Sequence, residues 1–319
     1  MIEYKKVKID RKSNLTQIAN EYNIDVKELH QFHNSLCSIT EYLPLHLPQL
    51  VDVIYLPKEV YEKRTIQLLP QPELILPTKI SNRKYGVIIK YPPKDLQIHY
   101  TLSVKRQNTT VEITKDKTYI NHQEVQRVTE QLFEKAEKAL YPLQISLGKK
   151  GTLDKIINIE EIQNRWKKEY LPELNSYYVG NVAEEILEKL KNAFENLSSK
   201  SKFLSHVLFY QLYFSPIYQQ YVDKGKQNSC SIYFASLSQT TLYETTLKLQ
   251  KEYTRGNKIA LEVFGKEEDH FLNQNNRKGR IEFLYKLHKD THEIFSITGW
   301  ATTFDHEKEV KIEFEMYEI

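Results

Sequence analysis

Along this chain the spacing of apolar and polar positions changes repeatedly, and each change marks the edge of an element. Lys6 to Ile9 reads as extended. After a polar turn, Leu15, Ile18, Ala19 and Tyr22 fall on one face of a 3.6-residue period, which predicts a helix. Asp25 stands where an N-cap belongs, Glu28 completes a capping-box pattern, and Val26, Leu29 and Phe32 carry the spacing into a second helix. Val53 to Leu56 predicts a strand that stops at Pro57. The expected order within residues 1–58 is strand, helix, helix, strand.

Residues 59–80 change character. Pro70, Pro72 and Pro77 interrupt IQLLPQPELILP and exclude a continuous helix, so this stretch reads as an extended connector. The aliphatic residues between the prolines predict that it lies against a domain, since free tethers are polar. From residue 81 strict alternation sets in, through Val87, Ile89 and Tyr91, then Ile98, Tyr100, Leu102 and Val104, then Val111 and Ile113, as antiparallel strands with one wet face require. Helical spacing follows from Val125 to Leu140, and a strand pair, Leu143 to Leu147 and Leu153 to Ile157, turns around Gly148 and Gly151. Asn158 with Glu161 reads as a cap for the first of three further helices, Ile159 to Leu171, Val179 to Leu197, and Phe203 to Tyr221 with a break at Pro216. After Ser231 the period returns to two, predicting five or six antiparallel strands over 231–319.

The expected fold class is therefore α+β. A small βααβ module precedes a larger 81–319 domain, in which a helical layer (about 125–221) covers a mainly antiparallel sheet. Trp166 and Trp300 are expected in its core, and the space between layer and sheet is expected to be filled.

Composition narrows the function. The chain of 319 residues has room for two domains. Its 45 Lys and Arg against 42 Asp and Glu leave +3, too balanced for a phosphate-backbone reader, so no nucleic-acid partner is expected. The 22 tyrosines fit half-wet strand faces and contacts with proteins or sugars. Cys37 and Cys230 make no disulfide framework and are expected as thiols. MIEYKKVKIDRKSN lacks the apolar core of about 7 to 15 residues of a secretory signal. The apolar run Phe203 to Phe214 falls short of the ~20 residues a bilayer span needs. A soluble, cytoplasmic protein is expected, with a non-classical route if it acts at the envelope.

The motifs of nucleotide binding (GxG, GxxxxGK), zinc proteolysis (HExxH) and the serine elbow (GxSxG) are absent from the sequence. His30 and His33 read as a solvated or second-row pair, and His288 and His292 flank a turn without a third donor, so no metal or cofactor is expected. Cys37, four residues after His33, reads as structural because no third group orients a thiol–imidazole pair. Glu184, Glu185 and Glu188 alternate with Lys189 and Lys191 as a wet helix face does. No catalytic residue is assigned; a cell-wall-active enzyme, which would need two carboxylates across a cleft, remains an alternative.

Residues 4–57, YKKVKIDRKSNLTQIANEYNIDVKELHQFHN through VDVIYLP, resemble a LysM module. The resemblance implies binding of N-acetylglucosamine-containing chains, peptidoglycan or a chitin-like glycan, with Tyr4, Ser13, Asn14, Asn34 and Tyr55 as contacts. Asn34 keeps a family position, whereas Lys12-Ser13-Asn14 replaces the usual Gly-Asp-Thr and Val51-Asp52 the usual Gly-Gln. Two roles follow. One is a binding or adaptor protein docking to wall glycan or to a cell-envelope assembly. The other is an adaptor within a phage-tail-like contractile injection or secretion system, with protein partners and no glycan binding.

Overall fold

The structure is a computed structural model that describes residues 3–9, 14–43, 52–62, 68–94, 96–198, 202–222, 225–254, 256–268 and 277–319. The chain divides into two compact units, Met1–Gln71 with Gln250–Ala260, and Pro72–Leu249 with Leu261–Ile319.

In the first unit β1 (Tyr4–Lys8) is followed by α1 (Leu15–Tyr22), α2 (Val26–Leu36), a 3-10 turn (Ile39–Glu41), β2 (Val53–Pro57) and α3 (Lys58–Glu62). Leu15, Ile18, Ala19 and Tyr22 are the residues α1 buries, as their spacing requires. Asn14 caps α1 with a reciprocal capping box, and Asn23 ends it in the left-handed conformation. Asp25 caps α2 by accepting from the amides of Lys27 and Glu28. The buried faces of both helices meet Val7, Ile54 and Leu56 of the antiparallel β1–β2 ribbon in one small core. The stretch read as connector is not uniform: α3 occupies its start, Leu68 bridges Glu252, and within the second unit the buried Leu74 donates its amide to the Gln219 carbonyl.

The second unit is mixed helix and strand, built on one large antiparallel sheet. Its elements are β3 (Ser81–Lys90), β4 (Gln97–Gln107), β5 (Thr110–Ile120), β6 (Gln123–Glu124), α4 (Val128–Lys138), β7 (Leu143–Leu147), β8 (Leu153–Ile156), α5 (Ile159–Arg165), α6 (Leu171–Tyr177), α7 (Asn181–Glu195) and α8 (Leu208–Tyr213). Six strands complete it: β9 (Lys226–Phe234), β10 (Gln239–Leu249), β11 (Lys258–Glu267), β12 (Arg280–His288), β13 (Ile294–Asp305) and β14 (Lys308–Glu318). The strand order is β8-β7-β5-β4-β3-β14-β13-β12-β11-β10-β9, with β6 on β5. The β3–β14 pairing joins the strands before the helices to those after them. Register places Tyr100, Val87, Met316, Ile297 and Tyr285 on one face, all buried. α8 lies on that face, where the Tyr285 hydroxyl donates to the Leu212 carbonyl at 3.0 Å.

Four expectations are corrected here. The helix from Ile159 runs beyond Leu171, through a π-helical stretch, Trp166–Tyr170, into α6, whose first turn takes Pro172 where its missing amide is tolerated. Asn158 makes no side-chain cap; it is buried and braces β7 through the Gln144 amide and the Pro142 carbonyl. The expected Phe203 to Tyr221 helix is only a 3-10 turn (Lys202–His206) and α8, and α8 is buried nearly all round, so tertiary packing and not an amphipathic stripe places it. Trp300 is not a core residue. It pairs with Glu282 and Glu313 on the opposite face from Gly299 and Ala301, half-buried, with the Lys311 ammonium 5.6 Å from its ring.

Candidate functional site

The β1–β2 ribbon sets Tyr4 opposite Pro57 and Lys6 opposite Tyr55, on the face turned away from Val7 and Ile54. Tyr4 is exposed, and its ring centre lies 5.3 Å from that of Tyr55. The Lys6 ammonium sits 4.6 Å from the Tyr55 ring centre, and the Tyr55 hydroxyl donates to Glu41 Oε2 at 3.1 Å. The Glu41 carboxyl is held below its usual range, first by the Ser38 amide and then by that hydroxyl, while contact with Tyr55 raises the Lys6 pKa. Each charge is thus stabilised beside an aromatic ring.

The candidate contact residues are used in different ways. Asn14 Oδ1 accepts the Gln17 amide at 2.8 Å and holds the start of α1. Asn34 grips the backbone of Leu43 in both directions, accepting its amide and donating to its carbonyl at 2.9 Å each. Tyr55 is 4% exposed, with its hydroxyl on Glu41. Ser13 lies outside the described residues. Tyr4 and Tyr55 are brought together; Asn14 and Asn34 sit at the start of α1 and the end of α2, bonded to the backbone of Gln17 and of Leu43.

The residue that organises this face is His33, which spacing alone left as a solvated or second-row residue. It is fully buried. Nδ1 accepts the Tyr55 amide at 3.0 Å, which leaves the proton on Nε2 to donate to the Glu41 carbonyl at 2.8 Å. One imidazole thereby ties α2 to β2 and to the 3-10 turn. The signal for it was present: Val26, Leu29 and His33 follow the same helical stripe. With both nitrogens engaged, His33 does not activate Cys37, whose thiol burial raises in pKa. The Cys230 thiol is pushed up to about 12 by burial and is likewise protonated at neutral pH.

Burial lowers the His33 pKa below its ordinary 6.5. Between that value and the lower folded one, the unfolded chain binds the extra proton, so His33 contributes stability that is fully present above pH 6.5 and lost as the pH falls towards the folded value. Lowering the pH from about 7.5 to 5.5 is expected to speed exchange of the Tyr55 amide, after correction for intrinsic exchange, by several-fold. Unchanged corrected exchange would contradict the clasp.

Among the described residues no group of three or more His, Cys, Asp or Glu side chains is placed to hold a metal ion. No described helix is long and apolar enough to cross a membrane. No protein-family model matches the chain, and no curated protein matches it.

Proposed function

We propose that this protein is an adaptor whose first unit docks a protein of a cell-envelope or phage-tail-like assembly through the outer face of the β1–β2 ribbon and the adjoining turn Ile39–Tyr42. The observation that carries this reading is where the polar groups go. A sugar is recognised by amides and hydroxyls facing outwards, and those of Asn14, Asn34 and Tyr55 are bonded within the unit. What faces outwards is apolar: Tyr4 is 43%, Ile39 94% and Tyr42 56% exposed. The turn reaches the ribbon through the Glu41–Tyr55 hydrogen bond. Aromatic and aliphatic anchors with a charged rim, here the exposed Lys6 and Lys8, suit a protein surface that is apolar at its centre and acidic at its edge.

The exposed Tyr4 ring favours a second reading, stacking on the apolar face of a pyranose as in the glycan-binding role that the LysM resemblance implies. Co-sedimentation separates the two. The purified chain is expected to stay in solution when mixed with insoluble peptidoglycan or chitin. Retention that soluble N-acetylglucosamine oligomers compete away, and that Tyr4→Ala abolishes, would overturn the adaptor reading.

A further inference from the structure

Within the second unit, α4, α7 and α8 line a gap whose other wall is the sheet. They leave a cavity of about 740 Å³. Tyr100 and Leu102 wall it from β4, Ala136 from α4, Leu190 from α7, and Phe209 and Tyr210 from α8. The rim residues Phe133 on α4 and Ala193 on α7 are exposed, so the cavity opens between those helices. Its volume lies in the range of about 300 to 1,000 Å³ typical of small-molecule sites.

The polar groups of the lining have one predominant sign. Glu130, Glu134 and Glu137 follow one face of α4 at i, i+4 and i+7, and all three line the cavity. Among the described lining residues the opposing cation is Lys115. Its ammonium is already held 2.5 Å from Glu137 and 4.6 Å from the Tyr100 ring centre. His206 lies stacked on Tyr233, with ring centres 4.2 Å apart. Glu130 pairs with the 82% exposed Arg127 at 3.7 Å, and Glu134 accepts the Thr118 amide at 3.0 Å. A carboxylate entering here would have to displace Glu137 from Lys115 and then face two further glutamates. An ammonium meets complementary charge at once. This acidic lining runs against the sign of the whole chain, which carries +3.

We propose that this cavity binds an amphiphile with an apolar chain and a cationic head, the chain among the aromatic and aliphatic wall residues and the head at Glu130 and Glu134. This site belongs to the second unit and stands apart from the adaptor role of the first.

The test uses the full chain and displacement of the neutral apolar dye Nile red, with dodecylammonium, dodecanol and dodecanoate as competitors. Saturable dye binding is expected, with dodecylammonium displacing it at about one-tenth the concentration of dodecanoate or less. Glu130→Gln with Glu134→Gln should bring the two charged competitors together while leaving dodecanol unchanged. Ala193→Trp, at the exposed rim, should weaken all three. Circular dichroism checks that each variant is folded. Dodecanoate competing as well as dodecylammonium against the unaltered chain would overturn the cationic assignment, and absence of saturable dye binding would overturn the site.

Discussion

Replacing Trp166 by alanine is expected to lower the unfolding free energy of the second unit by about 3 to 5 kcal/mol, the range for deleting a buried large aromatic. Trp166 is 2% exposed and lies flat against Phe194 of α7, with ring centres 4.2 Å apart and planes 7° from parallel. It sits where the π-helical stretch begins, and its indole joins that stretch to α7 through the stack on Phe194. The loss comes from apolar area, from the aromatic stack and from the cavity left behind. Its buried indole nitrogen has no hydrogen-bond partner among the described residues. Trp166→Phe therefore removes a buried orphan donor while keeping a ring, and its cost should stay below about 1.5 kcal/mol. Urea unfolding followed by far-ultraviolet circular dichroism measures both. A midpoint for Trp166→Ala equal to that of the unaltered chain would refute the packing assigned to this residue.

Arg83→Ala is the second large effect, expected at about 3 kcal/mol. Arg83 on β3 gives Nε and Nη2 to Glu293 Oε2 at 3.1 and 2.8 Å and Nη1 to Glu318 Oε1 at 2.7 Å. The other Glu318 oxygen lies 2.5 Å from His288 Nε2, and Ser81 donates to Glu293. One guanidinium thus holds β3, β14 and the start of β13 together at the seam where the two groups of strands meet, with His288 adding β12. Removing it leaves two largely buried carboxylates without the guanidinium they share. About a quarter of the arginine side chain meets solvent, which puts the effect at the low end of the ~3 to 5 kcal/mol for breaking a buried pair. Arg83→Lys keeps charge but not the forked geometry, and should fall in between.

The same network fixes a pH dependence. Burial alone would raise the Glu318 pKa, but the hydrogen bond and charge of His288 and then those of Arg83 hold it below its ordinary 4.5. A depressed carboxyl contributes stability that is present above its unfolded value and lost as the pH falls through the folded one. The destabilisation by Arg83→Ala should therefore be full at pH 7 and shrink below about pH 4.5. A penalty independent of pH would mean that Arg83 acts through packing alone.

Much of the architecture is legible because burial imposes a period. The α1 stripe and the alternation of the terminal strands match the faces that the structure buries. Where the reading fails, a tertiary demand overrides a local rule. Pro172 signals a stop, yet the helical run continues, because after the π-helical stretch Pro172 falls in the first turn of α6, where a missing amide is tolerated. α8 has no stripe to read, since both of its sides are covered. Trp300 is large and apolar, but it falls on the wrong beat of its strand. His33 carries two ring nitrogens whose partners, Tyr55 and Glu41, lie 22 and 8 residues away, and neither partner is local enough to announce it. The cavity was equally hidden, because an unfilled space is a property of how α4, α7 and α8 meet the sheet and leaves no mark on any one of them.

The adaptor account stands most directly on one measurement: site-specific photo-crosslinking in cells from positions 39 and 42, beside a control at Glu185, which pairs with Lys189 on the exposed side of α7. The account predicts one discrete protein adduct from both test positions, the same protein by mass spectrometry, lost when Tyr4→Asp is introduced and absent from position 185. No protein adduct from either position, or the same adducts from position 185, would contradict docking at the ribbon face.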